Sequence, residues 1–408
     1  MGSRKGFFAV KIMIRKITHH RPLFFLYLTV FINMIGFGMV FPLLPFYAKT
    51  FNATPLEIGL LAASFSLVQF FASPVLGRIS DRFGRKPILV FGLLASTFTM
   101  FLMGAAQNLA MLFVARCIHG TIAAAILPTA RAYMADVTTK ENRVAGMGKI
   151  GAANSFGFLF GPAFGSLLVG FGGPHIPFFA AAAVALFNAF SVFIFLRESL
   201  THKSETLVLK EGMFNIVRII PHLRGEHGLL FFIMFAWAFG MSNNQVAFPL
   251  LIGDKFNIGA DHAGYFFTVL AIVNSSVQGF LLPRIVGITG EKGAIVGGMF
   301  AQGLGLILVA ISPNVATLFL SLMTLAFGSA INRPTAEGLV SRETRTGQGT
   351  TLGIANSFES LGRVFGPLIG GATYAINGMF PFFFSAALLW FLGIVAIQSL
   401  RIKRVGVK

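Results

Sequence analysis

The sequence predicts an all-α membrane protein of twelve transmembrane helices, built as two pseudo-symmetric six-helix bundles. Three observations carry this reading. Apolar runs of membrane-spanning length follow one another along the chain, lysine and arginine are confined almost wholly to one side of it, and short words recur about 206 residues apart. Of the 408 residues, 55% are apolar and only 11% charged, against roughly a quarter charged in soluble domains.

The elements follow in order. Residues 1–22 alternate basic with apolar side chains and read as a basic surface segment, not as a cleavable leader with one clean apolar core. Apolar runs then fall near 23–48, 57–77, 87–106, 110–134, 144–170 and 176–196, giving a first bundle over 23–196. Each is long enough to cross about 30 Å of hydrocarbon. A polar, charged linker over 197–227 follows, and a second set falls near 228–252, 263–287, 293–312, 315–340, 350–375 and 380–400. That set makes a second bundle over 228–400, and 401–408 form a basic tail.

The net charge of +18 is a topology signal. Of 32 Lys and Arg, 26 fall in the two termini, the linker and alternate loops; Lys49 and Lys255 alone fall in the others, and four lie within spans. The positive-inside rule places both termini and the linker in the cytoplasm of a multi-pass cell-membrane protein. Nucleic-acid binding, which such a charge would suggest in a soluble protein, is excluded on this distribution.

The repeat is carried by five words in the same order. Phe41–Leu44 recurs as Phe248–Leu251, Val68-Gln69 with Pro74 as Val277-Gln278 with Pro283, and Gly84-Arg85-Lys86 as Gly290-Glu291-Lys292. Pro128-Thr129-Ala130 recurs as Pro334-Thr335-Ala336, and Gly161-Pro162 with Gly165 as Gly366-Pro367 with Gly370. A duplicated unit with an even number of crossings is a parallel repeat about an axis along the membrane normal, with a central cavity between the halves as the natural substrate site.

Four segments carry candidate chemistry. Between spans two and three stands Gly77-Arg78-Ile79-Ser80-Asp81-Arg82-Phe83-Gly84-Arg85-Lys86-Pro87. Gly77 allows two helices to approach, Gly84 a tight turn, Asp81 can sit at a neighbouring helix N-terminus, and Arg85 offers a fork to a carboxylate. In span five, Gly148 precedes Gly157, Gly161-Pro162 and Gly165, the last three glycines lining one helix face for close packing. Span four holds Arg116, Gly120 and Ala124, with His119 one turn from the arginine; His119 reads either as a hydrogen-bonded core residue or as a proton carrier. Span seven holds the polar cluster Ser242-Asn243-Asn244-Gln245, divided between substrate contact and helix–helix hydrogen bonding.

The loop at 77–87 resembles the signature loop of the major facilitator superfamily. Span five resembles the antiporter motif of its twelve-span drug exporters, with Ser166 where a final glycine is usual, and span four resembles the family's fourth-span motif. Together with Gly36, Gly38, Pro42 and Pro45, these place the resemblance over about 21–400, with the tetracycline and multidrug:proton antiporter group. It implies that the loop is a cytoplasmic latch engaging Asp136, and that Arg116 takes part in proton movement. It also implies that spans one, four, seven and ten line the cavity. Three positions that are titratable in tetracycline exporters are amides here: Asn33, Asn274 and Gln302. Amides hydrogen-bond a substrate but carry no proton near neutral pH.

The substrate-contact candidates are therefore Asn33, Arg116, Asn243, Asn244, Gln245, Asn274 and Gln302. The proton-coupling candidates are Glu337 and Glu359, the acids well inside spans, with Asp136 and His119. Glu359 stands four residues before Arg363, where an intrahelical ion pair is available; Glu337 corresponds by the repeat to Arg131, with which it can meet near the cytoplasmic mouth. The 48 Phe read as lipid-facing or packing residues, without an aromatic pocket.

The function expected is a secondary active exporter of amphipathic small molecules, proton-coupled, monomeric and embedded in lipid, working by alternating access. A lipid or organic-anion carrier is the second transport reading, favoured by the cationic balance within the spans. A non-transporting sensor is opposed by the intact loop and the lack of a sizeable extramembrane domain. No enzymatic nucleophile–base pair, metal cluster or cofactor loop is expected, and the lone Cys117 provides no disulfide.

Overall fold

The computed structural model describes residues 23–200, 226–342 and 348–399; the basic N-terminal segment, most of the linker and the tail lie outside the described residues. Among these the fold is helical. The helices are α1 (Leu23–Lys49, with a turn at 41–43), α2 (Pro55–Phe83), α3 (Arg85–Gly104), α4 (Leu109–Val137), α5 (Lys140–Val169) and α6 (Ile176–Phe195). After the linker come α7 (Glu226–Phe256), α8 (260–289, with a π-helical turn at Val277–Leu281), α9 (291–311), α10 (Val315–Arg342), α11 (Gln348–Ile376) and α12 (Phe380–Ser399). Among the described residues ten segments are long and apolar enough to cross a membrane, with α11 not among the ten and α8 and α9 counted as one from Ala260 to Ile311. They are divided by Gly290, whose φ of 72° breaks the helix.

That break is one of three structural repeats, the first falling on a short word and the other two outside them. Gly84, between α2 and α3, also has positive φ, 114°, a conformation open to glycine without a Cβ clash. Asn52 after α1 and Asn257 after α7 both adopt left-handed turns, with φ of 58° and 55°. Asn108 and Asn314 each accept a backbone N–H three residues on, at 2.8 and 2.9 Å, and so cap α4 and α10. Turn chemistry thus recurs at the same spacing as the words. The start of α2 adds a capping box: Thr54 Oγ1 accepts from Glu57 N–H and Glu57 Oε2 accepts from Thr54 N–H.

Glycine faces set the packing inside each set of helices. A Cβ on Gly157, Gly161 or Gly165 of α5 would overlap the backbone of α1 at Phe31, Gly38 and Met39. Gly362 and Gly366 of α11 meet α7 at Phe239 in the same way, and Gly370 meets Asn243. With no hydrophobic force between helices in lipid, this close van der Waals approach supplies the cohesion. Large apolar residues such as Phe91, Phe98 and Phe193 point outward with more than 60% exposure, as a lipid-facing surface requires.

The two sets touch at one end. α2 meets α11 where Gly59 lies on Pro367 and Gly371 on Pro55, and α5 meets α8 where Pro162 and Ser166 lie on Gly264. The other end, which carries the basic loops, is different: Gly77 of α2, Gly148 of α5, Gly287 of α8 and Gly353 of α11 have no atom within 4 Å of where a Cβ would sit. Gly77, expected to serve close approach, meets no partner helix here, and neither does Gly148 of the span-five motif, because the helices that touch at the far end have diverged.

Candidate functional site

Between the two helix sets lies a cavity of about 390 Å³. Its first-half wall is formed by α1 to α6, with Asn33, Phe37, Phe41, Phe65, Ser66, Gln69, Arg116, His119, Asn154 and Phe158 among the lining residues. Trp237, Ser242 and Gln245 of α7, Arg333 of α10, and Glu359 and Arg363 of α11 close the other side. Sequence reasoning assigned no aromatic pocket, yet four phenylalanines form one. Phe37 lies 5.4 Å from Phe41, 5.9 Å from Phe65 and 6.5 Å from Phe158, centroid to centroid. Their positions on three helices, scattered among 48 Phe, left no periodic signal to find.

Two charged centres face this space. Glu359 is 1% exposed and lies 3.0 Å from Arg363 Nη1 and 3.4 Å from Arg333 Nε, so the expected α11 pair is joined by a second arginine. Arg333 also stacks over Trp237, 5.4 Å from the ring centroid, while the indole N–H donates to the Ser329 hydroxyl. The other centre is Arg116, 3% exposed, which lies 4.3 Å from the Phe65 centroid. Among the described residues it makes no ion pair, and its Nε and Nη1 have no hydrogen-bond partner; neither does Nδ1 of buried His119.

At the basic end, the Arg85 guanidinium gathers acids from two helices. Its Nε lies 3.1 Å from Asp136 of α4, its Nη1 pairs with Asp81, and it donates to Ser80 Oγ at 2.7 Å. Asp81 is engaged by Arg85 instead of standing at a helix N-terminus. That place, at the start of α3, belongs to Glu198, which accepts from the backbone N–H groups of Arg85 and Lys86 at 2.9 and 3.2 Å. Arg82 points outward beside Phe83. Glu198 was missed because it stands beyond α6, more than a hundred residues from the loop it caps.

The Major Facilitator Superfamily model matches residues 26–241 and again 230–405. The chain belongs to the Major Facilitator Superfamily. It is 30% identical over 377 residues to multidrug resistance protein 2 of Bacillus subtilis, covering 91% of this chain and 94% of the relative. It is 32% identical over 359 residues to the class C tetracycline resistance protein of Escherichia coli, covering 86% and 88%. Among solved structures, a bacterial homologue of the human lysosomal transporter Spinster, in an inward-facing unoccupied conformation, superposes with a TM-score of 0.78 at 15% identity, covering 94% and 97%. The human organic anion transporter MFSD10 superposes at 0.68 and 21% identity, covering 93% and 99%. These likenesses show the superfamily fold in a multi-pass membrane protein.

On this superfamily scaffold the substrate-contact candidates divide. Asn33, Arg116 and Gln245 line the cavity. Asn243 does not: its Nδ2 donates to the Pro381 carbonyl at 2.7 Å and to Ser385 at 2.6 Å, tying α7 to α12. Asn244 is buried off the cavity wall. Gln302 is fully buried and accepts from Asn332 at 2.7 Å within the second set, and Asn274 bonds Gln278 on the π-helical stretch of α8. Glu337 is exposed on α10, lies off the wall, and makes no ion pair with Arg131.

The end away from the basic loops is closed by contacts that sequence reasoning did not connect. Lys49 Nζ lies 2.7 Å from Asp254, whose second oxygen accepts from Tyr374 at 2.8 Å. Lys49 ends α1 and Asp254 lies in the last turn of α7, so the pair ties these two helices by opposite charges. Ser166 donates to the Ala260 carbonyl at 2.6 Å and accepts from Gly264 N–H at 2.7 Å. The departure from the antiporter motif is thus a bond between α5 and α8. With side chains 39% and 52% exposed, the ion pair contributes at most about 1 kcal/mol. Asp254→Asn is expected to shift the open-to-closed ratio of this end about two- to fivefold, read as faster labelling of a cavity cysteine from that side. An unchanged labelling rate would remove the pair from the closure.

Proposed function

We propose that this superfamily member is a secondary active exporter of amphipathic small molecules, working by alternating access and driven by protons. The observation that carries the reading is a cavity between two helix sets that is sealed at one end and unsealed at the other, lined by aromatic rings and a few charges. The full-length similarity to multidrug and tetracycline resistance proteins supports export.

In this reading the helices form twelve spans as two bundles, 23–196 and 228–400, joined by the linker 197–227. Both termini are cytoplasmic, since 26 basic residues fall on that side and two on the other. The described conformation then opens to the cytoplasm. The loop at 77–87 is a gate whose Arg85 is held by Asp81 and Asp136 inside the first set in this conformation. The glycines of α5 are the bearing on which α1 is carried as the halves rock. Glu359 is the coupling acid, ahead of Glu337, Asp136 and His119, because among the described carboxylates it alone joins burial to the cavity wall. Its proton competes with Arg333 and Arg363 for the carboxylate. The protein acts as a monomer.

The test uses purified protein in liposomes containing a pH indicator, with amphipathic cations, neutral drugs and organic anions added in turn. Substrate-dependent proton movement confined to one chemical class is expected. Substrate crossing with no proton movement would overturn coupling, and no crossing by any compound would overturn the transporter reading. Four arginines against one glutamate on the cavity wall favour the organic-anion arm.

A further inference from the structure

We infer that the cavity holds an aromatic organic anion, with its carboxylate or comparable acid group on Arg116 and its ring against Phe37, Phe41 and Phe158. The inference rests on the transporter reading above and names the substrate class of the same cavity. Burying a guanidinium without a counter-charge is costly, and inside a membrane such residues face a partner or a cavity. Arg116 is 3% exposed and, among the described residues, makes no ion pair and leaves Nε and Nη1 without acceptors. The face of Phe65 partly screens it but accepts no directed hydrogen bond.

The neighbouring groups do not relieve this demand. Glu359, the one acid among the described lining residues, is already shared by Arg333 and Arg363. Asn33, a lining residue of α1, brings an amide and no charge. His119, one turn along α4, adds a neutral or cationic ring and an unpartnered Nδ1. An incoming cation would meet an uncompensated positive charge; a carboxylate would complete the guanidinium with charge-assisted hydrogen bonds. Arg116 stands seven residues into α4 from the sealed end, about 10 Å along its axis. An acid group can therefore reach the blind end of the cavity while its apolar body lies along the phenylalanines.

Three ligands with one carbon skeleton decide the matter: 2-naphthoate, 2-naphthamide and 2-naphthylmethylamine, titrated onto the purified full-length protein at neutral pH. The carboxylate is expected to bind at least tenfold more tightly than the amide, with the amine weakest. Arg116→Gln should abolish the carboxylate's advantage while amide binding stays within about twofold, and Arg116→Lys should restore part of it. Amine or amide binding as tightly as the carboxylate in the wild-type protein would overturn the inference, without recourse to any variant. The same compounds in proteoliposomes separate the two claims. Movement of the amine with no carboxylate binding leaves a transporter and removes the anion site. Arg116-dependent carboxylate binding with no movement of any of the three keeps the site and removes the transport reading.

Discussion

Gly264→Val is expected to hold the end away from the basic loops open and to cut transport at least about tenfold. Gly264 sits where α8 crosses α5, and a Cβ there would overlap the Pro162 carbonyl oxygen and press on Ser166 Oγ. Both obstacles are fixed: one is backbone, and the other is held by hydrogen bonds to Ala260 and Gly264. Overpacking of this kind costs about 1–3 kcal/mol, and a valine carries two further methyl groups into the same space. Conformations of a transporter differ by only a few kcal/mol, so a penalty falling on one of them redistributes the population about tenfold or more. The contact lies between the two helix sets, so each set can still fold.

The measurement is labelling of a single cavity cysteine, Ser66→Cys in a Cys117→Ser background, by an impermeant maleimide added from the sealed side. Labelling should accelerate while expression and membrane insertion persist. Ser166→Ala, which loses two hydrogen bonds without adding bulk, should move labelling the same way by less. Slow labelling in Gly264→Val with normal transport would show that α5 and α8 do not form the seal.

Why the fold was legible and the site only partly so follows from the periods involved. Apolar length, basic asymmetry and repeated words are long-range averages, and they located the helices to within a few residues. A cavity wall depends on which way one side chain points. Ser242-Asn243-Asn244-Gln245 reads as one polar cluster, but successive helix positions turn by about 100°, so only residues three or four apart share a face. Ser242 and Gln245 accordingly line the cavity, while Asn243 is turned to α12. Asn274 and Gln302 were candidates by correspondence with exporters whose residues there are titratable. Here Gln302 Oε1 accepts from Asn332, a partner on α10 that no word in the sequence links to it. The seal was hidden for a related reason. Lys49 stands out in sequence as a lone cation on its side, but its partner is 205 residues away.

Glu359→Gln is expected to abolish substrate-driven proton flux while the substrate still moves down its own gradient. In the described conformation the carboxylate is buried between Arg363 and Arg333. A proton arriving on Glu359 cancels the charge both arginines face, leaving two cations side by side on α10 and α11. That change in repulsion at the boundary of the cavity is what can couple protonation to movement of the halves. Glutamine fixes the neutral state, so the cycle loses its proton-dependent step. Removing one partner of a fully buried pair costs about 3–5 kcal/mol. Here the arginine side chains are 41% and 43% exposed, and their rehydration reduces the cost well below that figure. The variant should therefore insert and fold. Glu359→Asp, which keeps the charge on a shorter arm, should retain part of the flux, whereas a merely structural ion pair would predict recovery in Glu359→Gln/Arg363→Gln instead. Proton flux in Glu359→Gln equal to wild type would transfer the coupling role to Glu337, Asp136 or His119. Among these, His119 alone shares the cavity with Arg116, so coupling would then run through the same corner that receives the substrate's acid group.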